Sequence, residues 1–214
     1  AAPQYDDLNS FGNGTYRIEP KLTASAQWQT DTTRPLSFSV TGGYEEDNLG
    51  DPGYNANLGL VWPLGHQYAV EFAVGYKDQE AWLLHQGDDL FATFEAEQWL
   101  PSLSLEYYIS ARQQLRLALQ WVGIRAEENE FYRIPNQPDD LIPIAKPVGA
   151  GFQDSYDFSV SQYSLQARYR WEIAPLSDIF LVYTRQANLR SALGEAGFND
   201  IFDNAWENPL ADIF

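Results

Sequence analysis

The stretch YSLQARYRWEI, residues 163–173, alternates apolar and polar side chains without a break. Its odd-numbered residues are aromatic or aliphatic, whereas its even-numbered residues include Arg168, Arg170 and Glu172. Because successive residues of a β-strand point to opposite faces, this pattern predicts a strand with one apolar and one charged side. A soluble β-sandwich would bury the apolar side in a core. A membrane β-barrel would turn that side to lipid and its charges to a wet interior.

The same alternation recurs in seven further segments, although it is less clear in residues 178–185, where both faces are apolar. The connections between the segments differ regularly in length. The segments are residues 16–28, 36–44, 54–62, 67–77, 99–110, 114–122 and 178–185. Most are roughly nine to twelve residues long, as a tilted strand needs to cross a bilayer. The four short connections lie around residues 30–35, 63–67, 110–114 and 174–178, and they alternate with long ones at 45–53, 78–98, 125–157 and 186–210. Short turns on one rim and long loops on the other are typical of outer-membrane barrels.

Tyr and Trp residues on the apolar faces cluster at the two ends of the segments. Those near the short turns are Trp28, Trp62, Tyr68 and Trp171. Those near the long connections are Tyr16, Tyr44, Tyr54, Tyr76, Trp99, Trp121, Tyr163 and Tyr183. Amphipathic rings settle at membrane–water interfaces, so we expect two aromatic girdles around a band of aliphatic side chains.

The polar faces carry charges of both signs. The predicted interior residues are Arg17, Glu19, Lys21, Glu71, Glu106, Arg116, Arg168, Arg170 and Glu172. Such charges would face either a water-filled lumen or a plug of ion pairs, since unpaired ions in a dry interior are costly. The arginines of neighbouring strands could favour anions or polar sugars. Alternatively, they could pair with Glu106 and Glu172 across the strands.

These observations predict an all-β fold, an antiparallel up-and-down transmembrane β-barrel with about eight strands and a single domain over residues 1–214. With the short turns placed in the periplasm, both ends of the chain lie outside. Residues 1–14 then belong to an outer loop, and ADIF (211–214) begins a ninth, descending strand. We therefore expect a C-terminal fragment of a larger barrel. A barrel closed by the eight segments alone and a soluble sandwich are the alternatives.

Three tracts carry a resemblance to a known family. They are SLQARYRWEIAPLSDIFLVYTRQ (164–186), QQLRLALQWVGIRA (113–126) and YDDLNSFGNG (5–14) with the later TDTTRP (30–35). The chain resembles a family of large bacterial outer-membrane proteins of unknown function, in which a C-terminal barrel follows a domain similar to family-nine carbohydrate-binding modules. The resemblance implies the barrel portion of a longer protein, and it implies no catalytic residues.

Composition restricts the partners. Thirteen Lys and Arg against 30 Asp and Glu give a net charge of −17, which argues against nucleic acid. The absence of cysteine fits an oxidising envelope compartment. Acidic residues crowd the long connections, at Glu45, Glu46, Asp47, Asp51, Asp88, Asp89, Glu127, Glu128, Glu130, Asp139 and Asp140. They could bind Ca²⁺ loosely or only hydrate a surface that meets lipopolysaccharide. We expect no other cofactor.

The function expected from the sequence is therefore that of a non-enzymatic protein of the bacterial outer membrane. It would form a pore for polar solutes or a barrel that docks other envelope proteins, with the bilayer, lipopolysaccharide and the remaining strands as partners. A structural anchor with a plugged lumen is one alternative. A hydrolase at the outer rim is another, and its only candidate pair is His85 with Asp88; His66 lies in a tight turn.

Overall fold

One large antiparallel sheet dominates residues 4–214, the part of the chain that this computed structural model describes. The elements in chain order are β1 (Gln4–Asp6), β2 (Tyr16–Ile18), β3 (Thr23–Gln29), β4 (Ser37–Glu46), β5 (Pro52–Leu64), β6 (Tyr68–Gly87), β7 (Leu90–Ser110), β8 (Gln113–Arg133), β9 (Ile142–Ile144), β10 (Phe158–Ala174), β11 (Ser177–Ala192), α1 (Phe198–Glu207) and β12 (Ala211–Ile213). The predicted all-β class is confirmed. Within the described range, no helix is long and apolar enough to span a bilayer.

The strands of the large sheet follow one another in space almost as they do along the chain. Their order is β12-β11-β10-β8-β7-β6-β5-β4-β3, and β9 pairs with the far end of β8. Residues 211–213 pair antiparallel with β11, which confirms the predicted ninth strand. The outermost strands, β3 and β12, are not paired with each other, so the sheet formed by residues 4–214 is open. The alternative of a barrel closed by the eight segments alone is therefore wrong.

The register keeps side chains of like polarity on one side of the sheet. Tyr169 lies opposite Leu115 on β8 and Leu181 on β11. One residue away, Arg168 lies opposite Arg116 on the other side. We call the side of Tyr169 the apolar face and the side of Arg168 the polar face. Because a shift of one residue would exchange the two faces, the alternation in the sequence fixes this register.

Between the short turns and the middle of the sheet, the apolar face has no second layer over it. Leu58 on β5 is 51% exposed and Leu181 on β11 is 61% exposed, although both are large aliphatic residues. The described residues supply no second sheet over this part of the face, since the small sheet of β1 and β2 packs only near Phe91, at the far end of the strands. A sandwich would bury these side chains between two sheets, so the soluble sandwich gains no support from the fold.

The short turns are displaced steadily from one hairpin to the next. Tyr68, Tyr107, Leu115 and Tyr169 lie in one row of paired residues. At this row β5 already ends, because Leu64 pairs with Tyr68. However, β7 continues three residues beyond the row and β10 continues five. A displacement that always runs in one direction is the stagger that tilted strands of a barrel require.

The predicted long loops at 78–98 and 186–210 are largely secondary structure, and β8 extends into the one at 125–157, so these boundaries are wrong. The first is a hairpin with a tight turn at Asp88, where φ is 47°. β8 continues to Arg133, β10 begins at Phe158, and β11 runs to Ala192 before α1. The runs AWLLH and LFATF in this hairpin place apolar side chains on both faces. Alternation, the sequence signal used for strands, therefore disappears there.

This strand extension, residues 79–97 with 125–133, has a hydrophobic cluster on each face. On the side of the polar face, the cluster comprises Leu90, Ala92, Phe94, Ala96, Ala126, Phe131, Tyr156 and Phe158. On the opposite side it comprises Tyr16, Leu83, Phe91, Ile134 and Leu141. A bulge between Gln79 and Trp82 shifts β6 by one residue and brings Trp82 over Phe94. The extension is thus packed like the core of a water-soluble protein, unlike the uncovered apolar face nearer the short turns.

The first predicted segment, 16–28, is divided around Pro20. β2 pairs with β1 in a separate two-stranded sheet, and only β3 joins the large sheet. Tyr16 is fully buried against Phe91, with 5.1 Å between ring centroids, so its assignment to an aromatic girdle is wrong. Proline lacks the amide donor that a continuous ladder needs, which explains the break.

The same break removes three of the predicted interior residues from the large sheet. Arg17 on β2 lies 2.6 Å from Asp140 and 3.5 Å from Glu19, so its charge is compensated within the loops. Lys21 precedes β3 and lies in an acidic recess beside Glu46. The assignment of Arg17, Glu19 and Lys21 to the polar face is therefore wrong.

We expect Phe94→Ala to destabilise the extension by about 3–5 kcal/mol, because Phe94 is fully buried and the substitution leaves a cavity. Amide hydrogen exchange should accelerate in β7 residues 90–97 while β4 and β5 remain unchanged. Phe214→Ala is the matched control, since Phe214 is 98% exposed. Equal exchange rates in the two variants would contradict the two-sided core.

Candidate functional site: the two faces of the sheet

The aromatic residues of the apolar face meet in cross-strand pairs. Tyr68 stacks on Tyr107 with centroids 4.4 Å apart, near the β5–β6 turn. Towards the other end, Tyr76 packs on Trp99 at 5.0 Å, and Tyr44 packs on Tyr54 at 5.7 Å. Apart from Tyr16, the predicted girdle residues all lie on strands of the large sheet: Trp28, Tyr44, Tyr54, Trp62, Tyr68, Tyr76, Trp99, Trp121, Tyr163, Trp171 and Tyr183. That they meet lipid headgroups stays a prediction.

Helix α1 covers two of these rings, an arrangement that the sequence reasoning missed. Phe202 lies 5.3 Å from the Trp121 ring, and Trp206 lies 5.2 Å from the Tyr163 ring. The apolar residues of the helix recur at spacings of three and four, at Phe198, Ile201, Phe202, Ala205 and Trp206. That periodicity is visible in FNDIFDNAWE and could have revealed the helix. As a result Tyr163 is 1% exposed, whereas Trp171 at the other end of β10 is 42% exposed.

Two arginines on the side of the apolar face contact this helix: Arg125 lies 5.7 Å from the centre of the Phe198 ring, and Arg185 makes several contacts. Nε of Arg185 donates to the Tyr163 hydroxyl at 3.0 Å, and one of its terminal nitrogens donates to the Trp206 carbonyl oxygen at 2.6 Å. The other terminal nitrogen donates to Asp212 on β12 at 3.3 Å. The guanidinium also lies 4.6 Å from the centre of the Trp206 ring. Each of the three guanidinium nitrogens of Arg185 therefore has a hydrogen-bond partner.

The polar face holds a group of charges near the short turns. Arg116 pairs with Glu106 at 3.0 Å, as expected for a cross-strand pair. Arg170 donates two hydrogen bonds of 3.1 Å to Asp178, a partner that the sequence reasoning missed in favour of Glu172. Arg168 lies over the ring of Phe180 at 4.6 Å. Asp178 and Phe180 belong to the segment 178–185, where apolar residues occur on both faces. Alternation therefore did not identify them as partners of the arginines.

The remaining predicted interior residues lie apart from this group. Glu71 lies on the polar face opposite Ser104 and Val61. Glu172 lies opposite Asp178 at the β10–β11 turn, and its backbone amide donates to the Arg112 carbonyl oxygen at 2.8 Å. Both belong to the polar face of the large sheet, as predicted from alternation. Whether that face lines a lumen stays a prediction.

On β4, β5 and β6 the polar face carries small or amide side chains. These are Ser39, Thr41, Gly43, Asn55, Asn57, Gly59, Ala73 and Gly75. Several glycines face a polar side chain closely: a Cβ at Gly59 would lie 2.4 Å from Oγ of Ser39, and one at Gly75 would lie 2.7 Å from Oδ1 of Asn57. Over most of these three strands the polar face therefore carries short side chains, with Glu71 and Lys77 among the larger exceptions.

Beyond the middle of the sheet, the segment before β10 folds over the polar face. Tyr156 packs on Phe131 with centroids 5.5 Å apart. Glu128 pairs with Lys146, and its Oε2 accepts a hydrogen bond of 2.8 Å from the Tyr156 amide. The Glu128 amide in turn donates to Asp157 at 2.7 Å. These contacts fix residues 146–157 across this end of the face.

His85 lies on β6 rather than in a loop, and it does not use the Asp88 carboxylate. Its Nε2 lies 2.8 Å from the Asp88 backbone oxygen. Its ring packs on Phe91 and Phe11 at 5.2 and 5.6 Å. The ring also borders an open recess of about 710 Å³ with Ser155 and Asp157. This geometry explains His85 as a residue that closes the hairpin turn, and the hydrolase alternative gains no support from it.

The acidic connections organise their own backbones. Oδ1 of Asp47 accepts hydrogen bonds from the Leu49 amide at 2.8 Å and the Asp51 amide at 3.0 Å. Burial raises the pKa of Asp47 above its ordinary value. In residues 4–214, no three His, Cys, Asp or Glu side chains are grouped as a metal site would require. Loosely bound Ca²⁺ stays a prediction.

The described residues thus form an antiparallel sheet with an uncovered apolar face, a charged opposite face and ordered strand extensions. The chain matches the family described as Domain of unknown function (DUF5916) over residues 4–214. It therefore belongs to that family. No curated protein and no solved structure matches the chain.

We expect Glu128→Ala to release residues 146–157, because it removes the partner of Lys146 and the acceptor of the Tyr156 amide. Limited proteolysis should then cut this segment at least several-fold faster than in the unmodified protein. Glu127→Ala removes a neighbouring carboxylate that is 60% exposed and 3.5 Å from Arg125, and should leave the rate unchanged. Equal cleavage of both variants would refute the role of Glu128.

Tyr16 supplies a prediction about alkaline pH. Burial, followed by the negative charge of Asp6, raises the pKa of Tyr16 to about 12 from 10.0. The stability that comes from keeping this phenol neutral is fully present below pH 10 and is lost as the pH rises towards 12. We expect the free energy of unfolding to fall in that window, and to fall less in Tyr16→Phe. An identical pH dependence for both proteins would contradict this assignment.

Proposed function

We propose that residues 4–214 form part of the wall of a bacterial outer-membrane β-barrel, with the apolar face towards lipid. The observation that carries the proposal is the bare apolar face, on which Leu58, Phe72 and Leu181 are all more than 40% exposed. Burying such side chains in lipid contributes about 25 cal/mol of favourable free energy for each Å² of apolar surface removed from water. Water-soluble sheets obtain the same gain from a second layer, and the described residues provide none on this part of the face.

The aromatic pairs support this orientation. Tyr68–Tyr107 lies near the short turns, whereas Tyr44–Tyr54 and Tyr76–Trp99 lie towards the opposite end of the same strands. The non-polar residues Leu60, Phe72 and Leu103 lie between them. An aliphatic band between two aromatic rows matches the profile of a bilayer. The strand extension would then project from the outer rim, where its two hydrophobic clusters remain stable in water.

The open edges support a barrel with more strands. β3 and β12 each have one unpaired edge among the described residues. Unpaired backbone amides and carbonyls are very unfavourable in hydrocarbon, so each edge requires a further strand. The steady displacement of the short turns gives the tilt with which such strands would continue the wall. Lipid, lipopolysaccharide and the remaining strands are the partners proposed for this part of the protein.

Passage of polar solutes is the function that the polar face supports best. Its small and amide side chains on β4–β6 leave room for water, and its charges lie on the side away from lipid. A plugged anchor is the second candidate. It is favoured by residues 146–157, which Glu128 and Lys146 hold across the outer end of the same face. The two candidates differ in whether a continuous water path passes this segment.

The orientation can be tested on neighbouring residues, because the chain contains no cysteine. Phe72 and Ala73 are adjacent on β6 and lie on opposite faces, so Phe72→Cys and Ala73→Cys form a matched pair. In outer-membrane vesicles, we expect a membrane-impermeant maleimide to label position 73 much faster than position 72. A fluorophore at position 72 should be quenched by nitroxide-labelled lipids and one at position 73 should not. Equal behaviour of the two positions would exclude a lipid-facing apolar side.

Conductance distinguishes a pore from a plug. An open path predicts stable ion currents when the intact protein is inserted into planar bilayers. A plug predicts a sealed bilayer at all voltages, with currents appearing in Glu128→Ala because residues 146–157 are released. Glu127→Ala should behave like the unmodified protein under both candidates. A sealed bilayer for every variant, with the orientation test positive, would leave the anchor as the function.

A further inference from the structure

Three guanidinium groups of the polar face border one groove. The groove has a volume of about 250 Å³ and is lined by Gln114, Arg116, Arg168, Arg170, Asp178 and Phe180. We propose that it binds an oxyanion, the carboxylate or phosphate group of a solute, with Arg168 as its principal ligand. The inference rests on the proposed function, because it names the solute class for which the polar face would be selective.

Two of the three guanidiniums in the groove contact a carboxylate, and the third does not. Glu106 contacts Arg116 at 3.0 Å, and Asp178 binds Arg170 through two hydrogen bonds. Each of these two carboxylates therefore serves one arginine. Arg168 has no Asp or Glu oxygen within 4.0 Å anywhere in residues 4–214. Arg168 is thus the guanidinium of the groove that lacks a carboxylate contact, and a bound anion can supply that contact.

The register brings two of these cations together. Arg116 and Arg168 are directly opposite each other on β8 and β10. Like charges at opposed positions of a strand pair repel each other. The carboxylate of Glu106 relieves this repulsion only at Arg116, and Gln114 adds a neutral acceptor there when its amide oxygen faces Arg116 at 3.0 Å. An anion bound beside Arg168 would reduce the remaining repulsion between the two guanidiniums.

The position of Arg168 leaves its donors available. Its guanidinium carbon lies 4.6 Å from the centre of the Phe180 ring, a cation–π contact that holds the group over the ring. None of its N–H groups donates a hydrogen bond to another side chain of the described residues. A guanidinium presents its N–H groups as a planar fork that matches the two oxygens of a carboxylate or phosphate. The ring beneath and the fork beside it define a site for one such group.

Direct binding tests the site without requiring a conducting pore. We expect the intact protein in detergent micelles to bind inorganic phosphate and acetate, measured by isothermal titration calorimetry. Arg168→Gln should weaken the binding about tenfold or more, as the loss of a charge-assisted hydrogen bond predicts. Arg168→Lys keeps the charge but loses the fork, and should give an intermediate affinity. Arg34→Gln removes the same charge in the β3–β4 turn and should change nothing.

The ions and the variants together decide the outcome. Similar affinities for phosphate and acetate would indicate a general oxyanion site, and much tighter phosphate binding would indicate phosphorylated solutes. No binding of either ion, or equal binding by Arg168→Gln and the unmodified protein, would overturn the inference. Since Arg168 is exposed to solvent, we expect the variants to fold. A comparison of the gel mobility of heated and unheated samples checks this.

A second measurement separates this inference from the proposed function. In a KCl gradient across a planar bilayer, the unmodified protein should prefer Cl⁻, and Arg168→Gln should lose part of that preference. Currents with unchanged selectivity in Arg168→Gln would overturn the site and leave the pore. Phosphate binding that depends on Arg168 in a protein that never conducts would overturn the pore and leave the site.

Discussion

Strict pairing of like with like across the strands is the constraint on which the rest of this structure depends. In every hairpin between β3 and β11, the residues that lie opposite each other turn their side chains to the same side of the sheet. A slip of one residue between β8 and β10 would place Arg168 among leucines and Tyr169 among charges. The two faces can therefore differ so completely because the register of the eight strands is constant between a few local bulges.

The same sheet combines two kinds of environment along its strands. Near the short turns, one face is bare and apolar while the other is polar. In the strand extension, Phe94 and Phe91 are fully buried on opposite sides of β7. The change occurs within single strands, which run for 20 or 21 residues in β6, β7 and β8. Such length is uncommon in soluble sheets and is explained if one part of each strand contacts lipid and the other part contacts water.

The sequence predicted the faces of the sheet well, because alternation is a local property of each strand. Residues 163–173 alternate as the register requires, and the ninth strand at 211–213 was also expected. The strand extension was missed because AWLLH and LFATF are apolar on both faces, as in any strand buried from two sides. Tyr16 was misplaced because Pro20 interrupts the segment, and no local signal shows that β2 leaves the large sheet.

The arginine groove was only partly accessible to sequence reasoning. The guanidiniums of Arg116, Arg168 and Arg170 were expected on one wall, since alternation assigns them to one face. The partners that decide their charge balance, Asp178 and Phe180, lie on β11, where the alternation is weak. Identifying them required the register between β10 and β11, which depends on contacts over the whole hairpin.

Arg185 has a consequence for how the end of the chain is assembled. Its guanidinium contacts Tyr163 on β10, the last turn of α1 and Asp212 on β12 at the same time. The helix and the edge strand are therefore coupled, because losing either one removes a partner from the same guanidinium. Docking of α1 thereby favours the pairing of β12, and disturbing the helix weakens this edge of the sheet.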